Sequence, residues 1–283
     1  MWMRMIVNQM VRQAAEDKVK GFLFDQVDSQ SQGGGELTAE QLQSDAMLIF
    51  GSRPEAGGWV DAMEDVQHWP MDEAALYRGM SGSVSCLVIE MKPDKDSPEL
   101  VDTLLSLAPP KIAIIAGFGI ALSPKLGKRA MVVATSMMCG EEQVESSLNM
   151  EATPDNEEQG LFFGPGLSQA AFPKAGADRA KLFEQSGGLF CDPNGHDVAA
   201  VCERHAIPWT VVRVMTERSD EMPSLRLSTL LNQETMAAKL GAAVSSLWNE
   251  PSSAGELWQI QEDALKASDR LAKFLGSFLT SLG

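Results

Sequence analysis

The sequence predicts an α/β fold, a central mixed or parallel sheet covered by helices on both faces, preceded by a helical N-terminal extension. Three observations carry this. Short apolar runs at 46–50, 86–89, 111–116, 129–134 and 209–215 alternate with helix-like segments over most of residues 45–220. The chain has 283 residues, enough for one large core with an appendage. Its composition, 44% hydrophobic and 22% charged, is that of a globular protein and argues against general disorder.

Residues 1 to 28 read as a helix, since Met5, Met10, Ala14, Val19 and Phe22 approximate a 3.6-residue period. Ser29 to Gly35 has the composition of a flexible linker, and Thr38 with Gln41 forms a capping box for a short helix. Residues 1–40 are therefore read as an extension and 45–283 as the main domain. Ala46 to Phe50 is a buried strand ending at Gly51, and Cys86 to Ile89 is another. Pro98 to Leu107 is a helix with Leu100, Val101, Leu104 and Leu105 on one side. Lys111 to Ala116 is a strand that ends in Gly117-Phe118-Gly119, and Arg129 to Ala134 is the next strand. Ser81-Gly82-Ser83 reads as a hairpin turn or loop. Ala177 to Gln185 and Val198 to His205 are helices, with a short strand at Gly188 to Phe190 between them. Trp209 to Met215 is a strand entered from Pro208. Two helices close the chain. In the second, Leu257, Ala264, Leu271 and Phe278 recur every seven residues with Leu275 and Leu282 on the same seam, a stripe that either packs on the domain or serves a dimer contact.

The net charge of −16 repels phosphate backbones and anionic lipid, which disfavours nucleic-acid and membrane partners. Cys86, Cys139, Cys191 and Cys202 form no CxxC pair and read as buried reduced thiols. His68, His196 and His205 fit no zinc spacing, so no metal is expected. No apolar run reaches membrane-spanning length and the N-terminus lacks an export signal, so the expected location is the cytoplasm.

In such sheets ligands collect beyond the carboxyl ends of the strands, here 51–59, 91–97, 117–125, 192–197 and 216–222. Gly117 to Leu122 begins like a dinucleotide fingerprint, but Leu122 stands where the third glycine belongs and no acidic residue follows the next strand. Gly51 to Glu55 lacks the ending of a P-loop, and there is no GxSxG elbow. His196 lies in a turn at 192–197 that caps the following helix and is a candidate ligand contact. Thr216 to Asp220 is the most polar tract directly after a buried strand. It is either a solvated loop with internal ion pairs or the place where Glu217 enters a crevice as a proton donor.

The stretch Val201-Cys-Glu-Arg-His-Ala-Ile-Pro-Trp-Thr-Val-Val-Arg-Val-Met-Thr-Glu-Arg-Ser-Asp220 resembles the nucleoside phosphorylase and methylthioadenosine/S-adenosylhomocysteine nucleosidase family. Ala116 to Leu126 with Val132 to Thr135 is similar to that family's glycine-rich loop and following strand. Gly166 to Ser168, Lys181 to Phe190 and Asp192 follow in the family's order, and the resemblance covers residues 45–283. It implies a three-layer phosphorylase-type domain with a central mixed sheet, assembled as a homodimer or larger ring. It further implies cleavage of the N-glycosidic bond of a nucleoside, by hydrolysis or by glycosyl transfer to phosphate, with phosphate as the candidate co-substrate and no other cofactor.

Carried over position by position, the resemblance gives Glu217 the place of the Asp that protonates the leaving base. Pro193-Asn194 replaces the Met-Glu pair that holds the ribose, and Glu55 lies one position from the Glu that orients water. Gly117, Phe118 and Gly119 occupy the glycine-rich loop, where the Phe118 ring is expected to project near the ligand. Asp192, Arg213 and Arg53 complete the expected ligand-binding set, with Lys92 near the rebuilt nucleophile site. Two readings follow: a divergent enzyme with Glu217 as acid, or an inactive homologue that binds a nucleoside or base-like ligand.

Overall fold

The computed structural model describes residues 38–92, 97–148, 154–169, 173, 176–221 and 252–282. The expected N-terminal helix, its linker and the first of the two C-terminal helices lie outside these residues. In chain order the elements are α1 (Ala39–Leu42), β1 (Ala46–Phe50), α2 (Arg53–Ala62), β2 (Glu64–Pro70), β3 (Ala74–Ser81), β4 (Val84–Met91), α3 (Ser97–Leu107), β5 (Ile112–Ala121) and β6 (Met131–Cys139). There follow β7 (Glu142–Glu145), α4 (Pro154–Glu158), β8 (Leu161–Ser168), α5 (Gly176–Ser186), β9 (Phe190–Asp192), α6 (Gly195–Arg204), β10 (Trp209–Glu217) and α7 (Ser252–Leu282).

Among the described residues the strands form one mixed sheet in the order β10-β6-β8-β9-β5-β1-β4-β3-β2, with β7 on β6. A further pairing of β10 with β5 closes β5, β10, β6, β8 and β9 into a ring. All five residues of β1 are buried between parallel neighbours β4 and β5, which is why its sequence is apolar without alternation. The two faces carry separate apolar layers. Leu100, Leu104, Leu105, Val198, Val201 and Cys202 of α3 and α6 pack on Leu87, Ile89, Trp209 and Val211. On the other face Trp59 of α2 and Leu271, Leu275 and Phe278 of α7 pack on Leu48, Phe50, Val212 and Val214. Burying each such side chain is worth about 1.5–3 kcal/mol, so the predicted seam of α7 anchors it to the sheet.

Thr38 and Gln41 form the expected capping box, and Gly82 takes a positive φ in the turn between β3 and β4. Other expectations need correction. β5 does not end at the glycine-rich stretch but runs through it to Ala121, because residues 117–121 are paired by β10 on one side and β9 on the other. β6 extends to Cys139 because β7 folds back on it, and β9 lies at 190–192 rather than 188–190. β2, β3, β7, β8, α2 and α4 gave no recognised signal. β2 is an edge strand with almost every residue exposed, so it needs no apolar run. Cys86, Cys191 and Cys202 are buried, and burial pushes each thiol up to about 12. Cys139 is exposed, contrary to expectation, because it sits at the far end of β6 where β7 turns back. No helix among the described residues is long and apolar enough to cross a membrane.

The helix that opens beyond β1 is held by α7 at very short range. A Cβ on Gly58 would lie 2.9 Å from the Ser268 backbone, and the Gly58 N–H donates to Ser268 Oγ at 2.9 Å. Gly57, one residue earlier, faces open space. Gly58→Ala is expected to cost about 1–3 kcal/mol by overpacking, while Gly57→Ala gains up to about 1 kcal/mol from helix propensity. Urea unfolding of the two variants measures both, and equal effects would contradict the packing described.

Candidate functional site

The register of β5 assembles the site. Ile120 of β5 pairs with Cys191 of β9 on one side and with Glu217 of β10 on the other. Asp192 and Glu217, distant in sequence, therefore both end beside the carboxyl-terminal half of β5. Arg213 lies farther back on β10, opposite Gly117. Glu55 enters from the first turn of α2, which follows β1 directly.

Arg213 and Asp192 form a buried ion pair. Arg213 Nε and Nη2 donate to Asp192 Oδ2 at 3.0 and 2.7 Å, and Nη1 donates to the Ile115 carbonyl at 2.8 Å. The other Asp192 oxygen accepts from Ser168 Oγ at 2.8 Å and from the Gly195 N–H at 2.9 Å, which caps α6. Ser168 Oγ in turn accepts the His196 N–H at 2.8 Å. The pair thus ties β10, β5, β9, β8 and α6 together. Breaking such a pair from one side costs about 3–5 kcal/mol, because the remaining charge stays buried.

Glu55 is buried beside this pair. Its Oε1 accepts from the Phe118 N–H at 2.7 Å and its Oε2 from Ser52 Oγ at 2.9 Å. Residue 117 must be glycine for the carboxylate to fit, since a Cβ there would stand 2.6 Å from Glu55 Oε1. Burial pushes the Glu55 carboxyl above its ordinary value of 4.5, against the opposing pull of the Phe118 N–H, Arg213 and Ser52.

Glu217 is buried and paired with Arg179 of α5, whose Nη2 lies 2.5 Å from Glu217 Oε2. Arg179 Nη1 donates to the Arg218 carbonyl at 2.6 Å, so one fully buried guanidinium fixes both the Glu217 carboxylate and the chain leaving β10. Asn194 stands at the N-cap of α6, two residues past Asp192. The structure therefore brings Gly117, Gly119, Glu55, Asp192, Asn194, Arg213 and Glu217 to one edge of the sheet.

Three expected residues, Phe118, Arg53 and Lys92, turn elsewhere. The Phe118 ring does not face this edge but joins the apolar layer with Val212, Val214 and Leu271. Only its backbone N–H serves the site. Arg53 points toward β3 and β4, where Nη1 meets Tyr77 Oη and lies 3.2 Å from Glu90 Oε2. Tyr77 donates to the same Glu90 oxygen at 3.0 Å and stacks on His68 at 4.5 Å. Burial and Glu90 push the Tyr77 hydroxyl up to about 12. Lys92 Nζ donates to the Met71 carbonyl at 2.6 Å and so holds the loop between β2 and β3. Sequence reasoning missed Arg179. Its signal was an arginine on the same stripe as Leu182 and Phe183, at helical spacing within a predicted helix. Among the described residues no three His, Cys, Asp or Glu side chains gather as a metal site.

This arrangement of strands and helices is found in solved enzymes. A 5′-methylthioadenosine/S-adenosylhomocysteine nucleosidase from Helicobacter pylori, with butyl-thio-DADMe-Immucillin-A, matches with a TM-score of 0.62 at 17% identity, over 84% of this chain and 99% of its own. The chain has the nucleosidase fold. S-adenosylhomocysteine nucleosidase from Streptococcus pyogenes, in complex with 5-methylthiotubericidin, matches at 0.61 and 14% identity, over 85% and 98%. Native futalosine hydrolase of Helicobacter pylori matches at 0.60 and 18% identity, over 86% and 99%. No protein-family model and no curated protein matches the sequence. At these identities the likeness is one of fold.

The raised Glu55 carboxyl has a consequence for stability. The native state holds this proton more tightly than the unfolded chain, so the contribution is complete below about 4.5 and is lost as pH rises through the elevated native value. Glu55→Gln keeps a hydrogen-bonding amide without the titration. Its unfolding free energy is expected to fall less steeply than that of the parent between about pH 5 and pH 8. Parallel urea titrations check this, and identical slopes would contradict it.

Proposed function

We propose that the chain holds a nucleoside at the carboxyl edge of its sheet and cleaves its N-glycosidic bond, through a site rebuilt relative to nucleosidases of the same fold. The observation that carries this reading is the convergence of Glu55, Asp192, Asn194, Arg213 and Glu217 beside one stretch of β5, which the pairing of Ile120 with both Cys191 and Glu217 produces. Structures sharing the fold hold 5′-methylthioadenosine or nucleoside analogues, which supports a nucleoside as ligand.

The chemistry asks for a proton on the departing base and for negative charge near a ribose that becomes cationic. Glu217 has the position of the acid. Glu55, whose burial favours the protonated form, is the second carboxyl able to exchange a proton or orient the nucleophile. Asn194 offers a hydrogen bond to a ribose hydroxyl without adding charge. The nucleophile is water or phosphate. A homodimer belongs to this reading.

One observation favours a second reading, in which the ligand is bound without turnover. Glu217 Oε2 accepts from Arg179 Nη2 in a buried ion pair, which commits that oxygen to the protein rather than to a departing base. A panel of purine and pyrimidine nucleosides, with and without phosphate, separates the two when free base and thermal stability are both followed. Turnover predicts base release that Glu217→Gln lowers by about a hundredfold or more. Binding alone predicts no release but a higher melting temperature with base or nucleoside. Neither release nor stabilisation would contradict both.

A further inference from the structure

His196 is the buried polar side chain beside this edge that the proposed chemistry leaves without a task. It is the second residue of α6, directly after Asn194 and Gly195. Its backbone N–H is held by Ser168 Oγ, which itself donates to Asp192. The Cα–Cβ bonds of a helix tilt toward its N-terminus, so a side chain in the first turn leans back over the helix start, here the turn at 193–194. The ring is 5% exposed, and its Nδ1 lies 3.2 Å from Oδ1 of Asp197, a side chain that is 61% exposed. Nδ1 thus faces outward. Nε2, on the other side of the ring, is buried and has no hydrogen-bond partner among the described residues. A buried polar atom left unpaired is costly, and an apolar side chain at 196 would fill the same space without that cost.

We infer that His196 is a specificity-determining residue: its Nε2 hydrogen-bonds one hydroxyl of the ligand's sugar, so the edge selects a ribonucleoside over the deoxynucleoside that lacks that hydroxyl. The inference rests on the reading of this edge as a nucleoside site and names the sugar it takes. Three points select a sugar hydroxyl as the partner. Nε2 carries a lone pair or an N–H according to the tautomer and charge of the ring, and a hydroxyl serves either, because it both donates and accepts. The first two N–H groups of α6 are already taken, that of Gly195 by Asp192 and that of His196 by Ser168, which leaves the ring to meet the ligand. Asn194, two residues earlier, is the group that faces the ribose in the proposed function, which makes the sugar the nearest part of the ligand.

Formycin and pseudouridine are C-nucleosides whose carbon–carbon glycosidic bond is not cleaved, so their binding can be measured apart from turnover. Calorimetric affinities for each, and for its 2′-deoxy and 3′-deoxy analogues, are compared in the full-length wild type, His196→Phe and His196→Gln. For whichever ribonucleoside binds, the wild type is expected to prefer it by about tenfold or more over one of the two analogues. His196→Phe lowers the affinity for the ribonucleoside to within about twofold of that analogue and leaves the analogue's own affinity unchanged. His196→Gln, whose amide nitrogen stands near the place of Nε2, keeps the preference. A merely structural role would weaken all three ligands alike. Equal wild-type affinities for the three, or an undiminished preference in folded His196→Phe, would overturn the inference while leaving the nucleoside site intact. Binding of neither ribonucleoside overturns the reading of the site, and the inference with it. Where His196→Phe does not fold, a measurement on the wild type decides. The His196 Nε2 resonance, assigned by its loss in His196→Gln, is expected to shift on saturation with the ribonucleoside and not with the analogue lacking the contacted hydroxyl. A resonance unmoved by the ribonucleoside, or moved equally by all three ligands, would overturn the inference.

Discussion

The ion pair between Arg213 and Asp192 is the constraint from which the rest of the site follows. It is buried on both sides, and each partner spends its remaining capacity on neutral groups: Arg213 on the Ile115 carbonyl of β5, Asp192 on Ser168 Oγ of β8 and on the Gly195 N–H that starts α6. Because charge cannot be left unpaired there, the pair fixes how β10 and α6 stand relative to β5. That placement in turn puts Asn194 and Glu217 at the same edge. Glu55 joins from the opposite side, drawn in by the Phe118 N–H and given room by the missing side chain at Gly117.

Three carboxylates thus share a small region while facing different surroundings. Asp192 is neutralised by Arg213, Glu217 by Arg179, and Glu55 has only neutral donors in direct contact. Burial without a directly bonded cation favours the protonated form of Glu55.

Much of this was legible in the chain. The strands that read clearly, β1, β4, β5 and β10, are buried on both faces and therefore apolar without interruption, and the polar tract that ends β10 gave Glu217. Glu55, Asp192 and Arg213 came from the resemblance, and the structure puts Asp192 and Arg213 in contact. The hairpin of β2 and β3 was illegible because an exposed edge strand carries no hydrophobic pattern. The extent of β5 was misread because glycines in a paired strand look like a loop when the pairing partners, β9 and β10, lie far along the chain. Phe118 was assigned to the ligand side from its neighbours' role, whereas strand alternation sends its ring into the layer under α7. Arg179 escaped because an ion pair across 38 residues leaves no local signature beyond one arginine on an apolar stripe.

The most direct test is a crystal structure of the full chain grown with adenosine. A ligand beyond the end of β5, with its base within hydrogen-bond distance of Glu217 and its ribose against Asn194, is the expected result. Adenosine ordered elsewhere on the protein, with this edge unchanged and closed, would contradict the assignment of the edge as the ligand site.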